Sequence, residues 1–238
     1  MSDKESANMM RAFIAGFFAL ILASLPVAQS ESAEQALLPM PQTGENGVHV
    51  QSWFHESFLD LGEDLADAQA QGKRLAIIWE QRGCPYCKRT HEVNLRIPAV
   101  VDYIKRNFVV LQLNLWGDRE VTDFDGEVLT EKNLANKYAV LFTPTLQFFP
   151  ENLEKVGGRP GGEAEVVRIP GYFKPFHFFF LFHYAFENGY EKEPNFQRWL
   201  SAIGNDLDEK GIKYDLWGDE LPKDLPEKYL YPTLENAR

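Results

Sequence analysis

The chain has 238 residues, 45% of them hydrophobic and 13% aromatic, so it is long enough to bury a sizeable core. Its formal net charge of −11 at pH 7 argues against a surface that holds nucleic acid, because such partners are bound by clustered lysine and arginine. The two cysteines, Cys84 and Cys87, are three positions apart and cannot join distant loops. We therefore expect this pair to react or to bind something.

The amino terminus has the pattern of a secretory signal. Lys4 and Arg11 precede an apolar run over residues 12–28, and the small residues at its end favour cleavage after Ser30. We predict a signal peptide over residues 1–30 and a location outside the cytoplasm. The alternative is an uncleaved membrane anchor, because a run of about 17 apolar residues is near the lower limit for crossing a bilayer.

Hydrophobic periodicity then divides the chain. Residues 31–51 contain prolines and glycines with little periodicity, so we predict a flexible lead-in outside the fold. From Ser57 the apolar spacing predicts a first helix, with Phe58 among its buried positions. The continuous apolar run at 75–79 predicts a strand that is buried on both faces of a sheet.

Helices and strands alternate after the cysteine motif. In chain order we predict a helix at 88–95, a helix from Pro98 to Asn107, a strand at 108–113, a hairpin turning at Asp125-Gly126, a helix marked by Leu134, Tyr138 and Leu141, strands at 146–149 and 166–169, and a buried aromatic helix at 173–187. The last two strands should form an antiparallel pair at one side of the sheet. This alternation predicts an α/β fold with helices on both faces of one sheet.

The spacing of the cysteines is typical of a reversible redox switch. Two cysteines separated by two residues at the start of a helix can close a disulfide with little backbone movement. Cys84 would lie at the helix amino terminus, where unpaired N–H groups and the macrodipole favour a thiolate, so we predict that it is the attacking nucleophile. Cys87 would then resolve the mixed disulfide, while Pro85 and Tyr86 keep the turn compact.

A metal site is the competing interpretation of the same residues. Cys84, Cys87 and His91 fall on one helix face with ligand-like spacing. Three ligands are too few for a closed zinc site, and the chain has no further cysteine. We therefore predict neither a metal nor a cofactor, and we expect His91 to be a surface or packing residue.

The ordered set of motifs resembles the thioredoxin superfamily, and within it the periplasmic thioredoxin-like proteins of the SoxW type. The segments that carry the resemblance are Trp79-Glu80-Gln81-Arg82-Gly83, Cys84-Pro85-Tyr86-Cys87-Lys88, the hairpin at Asp125-Gly126, Phe142-Thr143-Pro144-Thr145 and Pro170-Gly171-Tyr172. The resemblance covers about residues 52–203. It implies an α/β thioredoxin fold with a central mixed sheet flanked by helices, which here would follow the N-terminal signal segment. The charges and prolines of residues 204–238 predict an acidic C-terminal extension that is either a strap lying on the domain or a disordered end, and we expect it to dock in part.

The resemblance also implies roles for individual residues. Pro144 would be cis and pack against the disulfide, and Thr143 would present its backbone to an extended substrate segment. Thioredoxins carry a buried aspartate on the strand before the motif, whereas this strand holds isoleucines. Glu80 is the nearest carboxylate, and we predict that it takes the proton of Cys87. The alternative for Glu80 is a solvated loop carboxylate.

An apolar rim around the sulfurs would bind flexible thiol partners. We predict that Trp79, Tyr86 and Trp116 form this rim together with Pro85, and Trp79 has the alternative of a position in the core.

The function implied by the resemblance is that of a periplasmic reductant. It would keep the cysteines of partner proteins reduced through a redox-active Cys84–Cys87 disulfide, in a sulfur-oxidation or cytochrome-maturation setting. A membrane electron donor of the CcdA or DsbD type would recharge it, and we expect a monomer. Two alternatives stay open: a disulfide oxidant or isomerase, because the same motif occurs in glutaredoxins and some isomerases, and a thiolate protein that binds or delivers copper or zinc.

Overall fold

The computed structural model describes residues 36–232. The signal segment predicted at 1–30 lies outside the described residues. Within the described range, none of the helices combines the length and apolar character needed to cross a membrane.

Short strands and helices alternate along the chain. The strands are β1 (Gln42–Thr43), β2 (His49–Val50), β3 (Arg74–Glu80), β4 (Phe108–Asn114), β5 (Glu120–Thr122), β6 (Val128–Thr130), β7 (Thr145–Phe148) and β8 (Val167–Pro170). The helices are α1 (Leu61–Ala70), α2 (Pro85–Glu92), α3 (Pro98–Asn107), α4 (Glu131–Lys137), α5 (Leu153–Val156), α6 (Gly161–Ala164), α7 (Pro175–Phe186), α8 (Gly189–Lys192), α9 (Phe196–Glu209) and α10 (Glu227–Leu230).

A four-stranded mixed sheet lies at the centre, in the order β4-β3-β7-β8. The β3–β4 pair is parallel, while β7 pairs antiparallel with both β3 and β8. Alternate residues of β3 enter two apolar clusters, Ala76 and Ile78 in one and Ile77 in the other. Because β3 is covered on both faces, its sequence is continuously apolar. The predicted α/β fold with a mixed sheet between helices is confirmed.

The first helix begins four residues later than predicted. Asp60 is its N-cap, and its carboxylate accepts the backbone N–H groups of Gly62 and Glu63 at 2.9 and 3.0 Å. Leu59 has a φ of 65°, which turns the chain before the helix, and the Phe58 side chain is 100% exposed. The prediction of a buried Phe58 is therefore wrong, because the capping residue ends the helical periodicity at position 60.

The segment predicted as a flexible lead-in belongs to the fold from residue 36 onward. β1 and β2 form an antiparallel hairpin, and the Leu38 N–H donates to the Arg96 carbonyl at 2.8 Å. The turn of the hairpin lies against the loop before the cysteines, since a Cβ at Gly47 would come within 2.8 Å of Arg82. Gly47 also has a φ of 76°, which favours glycine. Over 36–51 the prediction is wrong, because backbone hydrogen bonds rather than periodic apolar residues hold this segment.

The C-terminal part of the chain packs on the aromatic helix α7. The boundary predicted at 203/204 falls inside α9, whose buried Leu200 and Leu207 join the core cluster of α7. Further along, Leu225 and Tyr229 are buried in the same cluster, whereas Trp217 is exposed. The extension after α9 thus has the intermittent anchors expected of a partly docked strap.

Candidate active site

The turn between β3 and α2 carries both cysteines. Gly83 takes a φ of 73° and brings the chain out of the sheet, so that Cys84 becomes the N-cap of α2. The Cys84 sulfur accepts the backbone N–H of Cys87 at 3.0 Å. Pro85 occupies the first turn, where its missing N–H leaves no helical hydrogen bond unmade, and its side chain is exposed. Local sequence alone therefore places Cys84 at a helix amino terminus.

Cys84 and Cys87 form a disulfide whose Cα atoms are 5.3 Å apart. Both sulfur-bearing residues are buried, but Cys84 retains 7% of its surface and Cys87 only 2%. The more exposed cysteine is thus the one at the helix amino terminus, where the backbone dipoles favour a thiolate after reduction. This difference is the one required for an attacking and a resolving cysteine.

The loop before β7 lies against the disulfide. The Thr143–Pro144 bond is cis, as the family resemblance implied. The Thr143 hydroxyl donates to the Cys84 sulfur at 3.3 Å, and the Thr143 carbonyl oxygen lies 3.4 Å from the same sulfur. Pairing of β7 with β3, in which Thr145 lies opposite Trp79, brings these distant parts of the chain together.

Exposed apolar side chains surround the loops that carry this site. Tyr86, between the two cysteines, is exposed, and so are Leu141 and Phe142 immediately before Thr143. Trp116 is also exposed, and its indole N–H donates to Gln81 Oε1 at 2.6 Å, which fixes it beside the loop that leads to Cys84. Tyr86 and Trp116 are two of the residues predicted for the rim, and both are exposed. Leu141 and Phe142 were not predicted there, and the only signal for them in the sequence was their position just before Thr143-Pro144.

Trp79 does not belong to the rim. Its side chain is fully buried, and its indole N–H donates to Gln147 Oε1 at 2.5 Å. The ring packs at 6.3 Å from that of Tyr138 in an edge-on arrangement. The prediction that Trp79 binds substrate is wrong, because the central strand β3 turns this side chain into the core.

Glu80 is the last residue of β3 and is completely buried. Its two carboxylate oxygens lie 3.0 and 2.9 Å from Nε2 of His91, which is also completely buried. Gln112, on the neighbouring strand β4, donates a further hydrogen bond from its amide nitrogen to Glu80. The alternative of a solvated loop carboxylate is therefore wrong, and His91 is an interior residue rather than a surface one.

Two residues of the N-terminal hairpin region complete this polar cluster. Gln51 Nε2 lies 3.1 Å from Nδ1 of His91, and the carbonyl oxygen of His49 accepts a hydrogen bond of 2.6 Å from Gln112. Sequence reasoning missed both residues, because it placed this segment outside the fold. Both ring nitrogens of His91 are thus in hydrogen bonds, and residues 36–232 contain no group of three or more His, Cys, Asp or Glu residues that could hold a metal ion.

The C-terminal extension reaches the cysteine helix from the other side. Asp219 accepts two hydrogen bonds of 3.0 Å from Arg89 on α2 and one of 2.7 Å from Lys174. These hydrogen bonds lower the pKa of Asp219, the one from Lys174 most strongly. Helix α2 is therefore in contact with segments from both ends of the described chain.

The comparisons with known proteins agree with this architecture. Two solved structures are similar to the chain: a thioredoxin-fold protein from Helicobacter pylori (21% identity, 55% of this chain and 81% of that one, TM-score 0.42) and a thioredoxin from Thermus thermophilus (25% identity, 52% and 82%, TM-score 0.40). No curated protein sequence matches significantly. Because both TM-scores are below 0.5, the assignment rests on the match of the family described as "Thioredoxin-like domain" to residues 61–186, more than half of the chain. With its mixed sheet, its disulfide at the start of α2 and its cis proline beside the sulfur, the chain belongs to the thioredoxin-like domain family.

Proposed function

We propose that the protein is a periplasmic thiol-disulfide oxidoreductase that reduces disulfides of partner proteins, in the manner of the SoxW-type proteins. The observation that carries the proposal is the Cys84–Cys87 disulfide at the amino terminus of α2, with Cys84 the more exposed of the two cysteines. A disulfide closed across one helical turn can be opened and re-formed without moving the fold. This is the property that a reagent for repeated exchange requires.

The reaction begins with the reduced pair. The Cys84 thiolate attacks one sulfur of a partner disulfide, forms a mixed disulfide and releases the partner's other sulfur as a thiolate. Cys87 then attacks the Cys84 sulfur, which closes the internal disulfide and releases the second partner thiolate. The partner gains two electrons and the cysteine pair loses them, so a membrane electron donor of the CcdA or DsbD type must reduce the pair again.

Glu80 is proposed as the acceptor of the Cys87 proton. It lies at the end of the strand that leads into the motif, and His91, its hydrogen-bond partner, is one helical turn from Cys87 on α2. A carboxylate held at this end of β3 can act as the general base of the step. Removal of such a group typically slows a proton-transfer step by about 10²–10⁴-fold.

Partner recognition would combine backbone and apolar contacts. An extended segment of the partner can pair with the backbone at Thr143, next to the Cys84 sulfur. The exposed Tyr86, Trp116 and Phe142 side chains would contact apolar residues on either side of the partner's cysteine. Such contacts favour unfolded or flexible protein disulfides with little sequence preference.

The first experiment is to measure the reduction potential of the Cys84–Cys87 couple of the purified chain in defined thiol redox buffers. A reduction potential near that of thioredoxin, about −270 mV, supports a reductant. A value near about −120 mV would replace this proposal with an oxidant. Failure to form the internal disulfide at all would refute both.

A trapping experiment tests the assigned order of the cysteines and the compartment. Cys87→Ser should accumulate mixed disulfides with periplasmic proteins through Cys84, whereas the matched variant Cys84→Ser should accumulate few, because Cys87 is almost completely buried. Equal trapping by the two variants would contradict the assignment.

A further inference from the structure

An exposed tryptophan of the C-terminal extension lies close to the helix that carries the cysteines. The Trp217 side chain is 76% exposed. Two residues further on, Asp219 accepts hydrogen bonds from Arg89 on α2 and from Lys174, the N-cap of α7. A single exposed apolar residue needs no special explanation. It becomes a candidate for partner contact where the fold fixes it in place and its surface is continuous with a reactive site.

The turn that carries Trp217 is fixed by several contacts. The backbone N–H of Trp217 donates to Asp215 Oδ1 at 2.8 Å. A Cβ at Gly218 would lie 3.0 Å from Asp215 Oδ2, so the turn closes tightly at that glycine. The centres of the Trp217 and His177 rings are 6.2 Å apart, and His177 is hydrogen-bonded to the backbone of Leu216. A side chain that is already held in place loses less conformational entropy when a partner binds it.

Arg89 connects this turn to the rim of the cysteine site. Arg89 follows Tyr86 by three residues on α2, so the two exposed side chains lie on the same face of that helix. The guanidinium carbon of Arg89 is 5.5 Å from the centre of the Tyr172 ring. The neighbouring Gly171 donates its backbone N–H to the carbonyl oxygen of the cis proline, Pro144, at 2.7 Å. The surface around the cysteines therefore continues across Arg89 to the extension.

The groups around Trp217 favour an apolar partner over a charged one. Asp219 is already paired with two cations, Arg89 at 3.0 Å and Lys174 at 2.7 Å. Burial lowers the pKa of His177, so its ring is uncharged at neutral pH. What the turn offers to a partner is thus the apolar face of an indole ring. Aromatic residues of this kind are enriched where proteins bind each other, because they bury a large apolar area on contact.

We propose that Trp217 is a second contact point for protein substrates: while the partner's cysteine is joined to Cys84, an apolar side chain of the same flexible partner segment packs on the Trp217 ring. This inference rests on the proposed function and adds to it a residue beyond the family match at 61–186. Trp217 takes no part in the exchange of bonds. It increases affinity for an extended protein segment and has no effect on a small disulfide, which does not extend past α2.

The test compares a protein disulfide with a small disulfide, using Trp217→Ala in the full chain. The matched control is Tyr231→Ala, because Tyr231 is an exposed aromatic residue of the same extension. Its ring packs on Arg106, which precedes the start of β4 and so lies at the opposite end of the parallel β3–β4 pair from the cysteines. With dithiothreitol as electron source, we expect Trp217→Ala to lower kcat/KM for insulin about tenfold. Its rate with dithiobis(nitrobenzoate) should equal that of wild type, and Tyr231→Ala should match wild type with both disulfides.

A trapped complex gives a readout that does not depend on turnover. In Cys87→Ser, Cys84 is joined through a disulfide to a synthetic peptide with phenylalanine residues on both sides of its cysteine. The indole N–H signal of Trp217, assigned by its loss in Trp217→Ala, should shift in the NMR spectrum, and it should shift less when serine replaces each phenylalanine.

Three results would overturn the inference: an unchanged Trp217 signal in the trapped complex, equal losses of insulin reduction in Trp217→Ala and Tyr231→Ala, or an equal loss with the small disulfide. A Trp217→Ala variant that reduces insulin normally but changes its oligomeric state by light scattering would also overturn it, because a second copy of the chain would then cover Trp217. A wild-type protein that reacts with neither disulfide would instead refute the proposed function itself.

Discussion

The carboxylate of Asp219 accepts two hydrogen bonds of 3.0 Å from Arg89, which joins the C-terminal extension to the helix that carries both cysteines. Lys174 donates to the same carboxylate at 2.7 Å, so Asp219 connects α2, the start of α7 and the extension. These groups are partly exposed, and exposed ion pairs contribute little to stability. Their effect should therefore be local to the extension.

We expect Asp219→Asn to lower the free energy of unfolding by less than about 1 kcal/mol and to accelerate proteolysis of the segment after α9. The matched control is Glu220→Gln, which removes the neighbouring exposed carboxylate. Proteolysis monitored by mass spectrometry distinguishes the two variants. Identical cleavage rates for both would mean that Asp219 does not hold the extension.

Trp79 and Trp116 should respond in opposite ways to the same substitution. Trp79→Phe leaves the buried Gln147 oxygen without its donor, so we expect a loss of about 1–3 kcal/mol in the free energy of unfolding. The exposed Trp116→Phe should change stability by no more than about 0.5 kcal/mol but lower kcat/KM for a protein disulfide. Urea unfolding and a protein-disulfide reduction assay on both variants make the comparison. If Trp79→Phe were as stable as wild type but reduced the protein disulfide more slowly, Trp79 would have to contact the substrate rather than support the core.

Arg74, on β3, forms hydrogen bonds with the C-terminal end of the aromatic helix α7. The buried guanidinium donates to the carbonyl oxygens of Ala185 at 2.6 Å and Phe149 at 3.2 Å, and to Asn188 Oδ1 at 2.5 Å. We expect Arg74→Met to destabilise the fold by about 3–5 kcal/mol, because it leaves these buried acceptors without a hydrogen-bond donor. Thermal unfolding checks this, with the exposed Arg198→Met as a control. An equal shift in both variants would argue against the role of Arg74.

Two groups on the aromatic helix should shape the dependence of stability on pH. Burial lowers the pKa of His183 to about 3 and raises that of Glu187 to about 7. As pH falls below 6.5, the unfolded chain takes up a proton at His183 that the folded protein does not, so stability decreases toward pH 3. Glu187 acts in the other direction: between pH 4.5 and 7 the unfolded chain releases this proton while the folded protein keeps it, so stability decreases as pH rises.

The two contributions cancel between pH 4.5 and 6.5, and only that of His183 remains below. We expect the pair to leave the free energy of unfolding flat in the upper window and to lower it by about 2 kcal/mol between pH 4.5 and 3. Urea titrations compare wild type with Glu187→Gln, whose stability should already decrease below pH 6.5, and with His183→Leu, which should lose the acid decrease. Parallel curves for all three proteins would contradict the assignment.

Local structure in this protein is encoded by short stretches of sequence. The apolar run of β3, the proline that opens α3, the turn at Gly126 and the placement of Cys84 as a helix cap each depend on neighbouring residues only. These features follow from side-chain period, fixed proline geometry and glycine freedom. The reactive pair and the outline of the α/β sheet could therefore be predicted before any contact was known.

Which side chains share the site depends on the fold as a whole. Trp79 faces the core because both faces of β3 are covered, and Glu80 is buried because α2, β4 and the N-terminal hairpin region close over the end of that strand. Gln51 reaches His91 across 40 positions of sequence. No periodicity records such contacts, because hydrogen bonds between distant segments leave no pattern in the residues that make them.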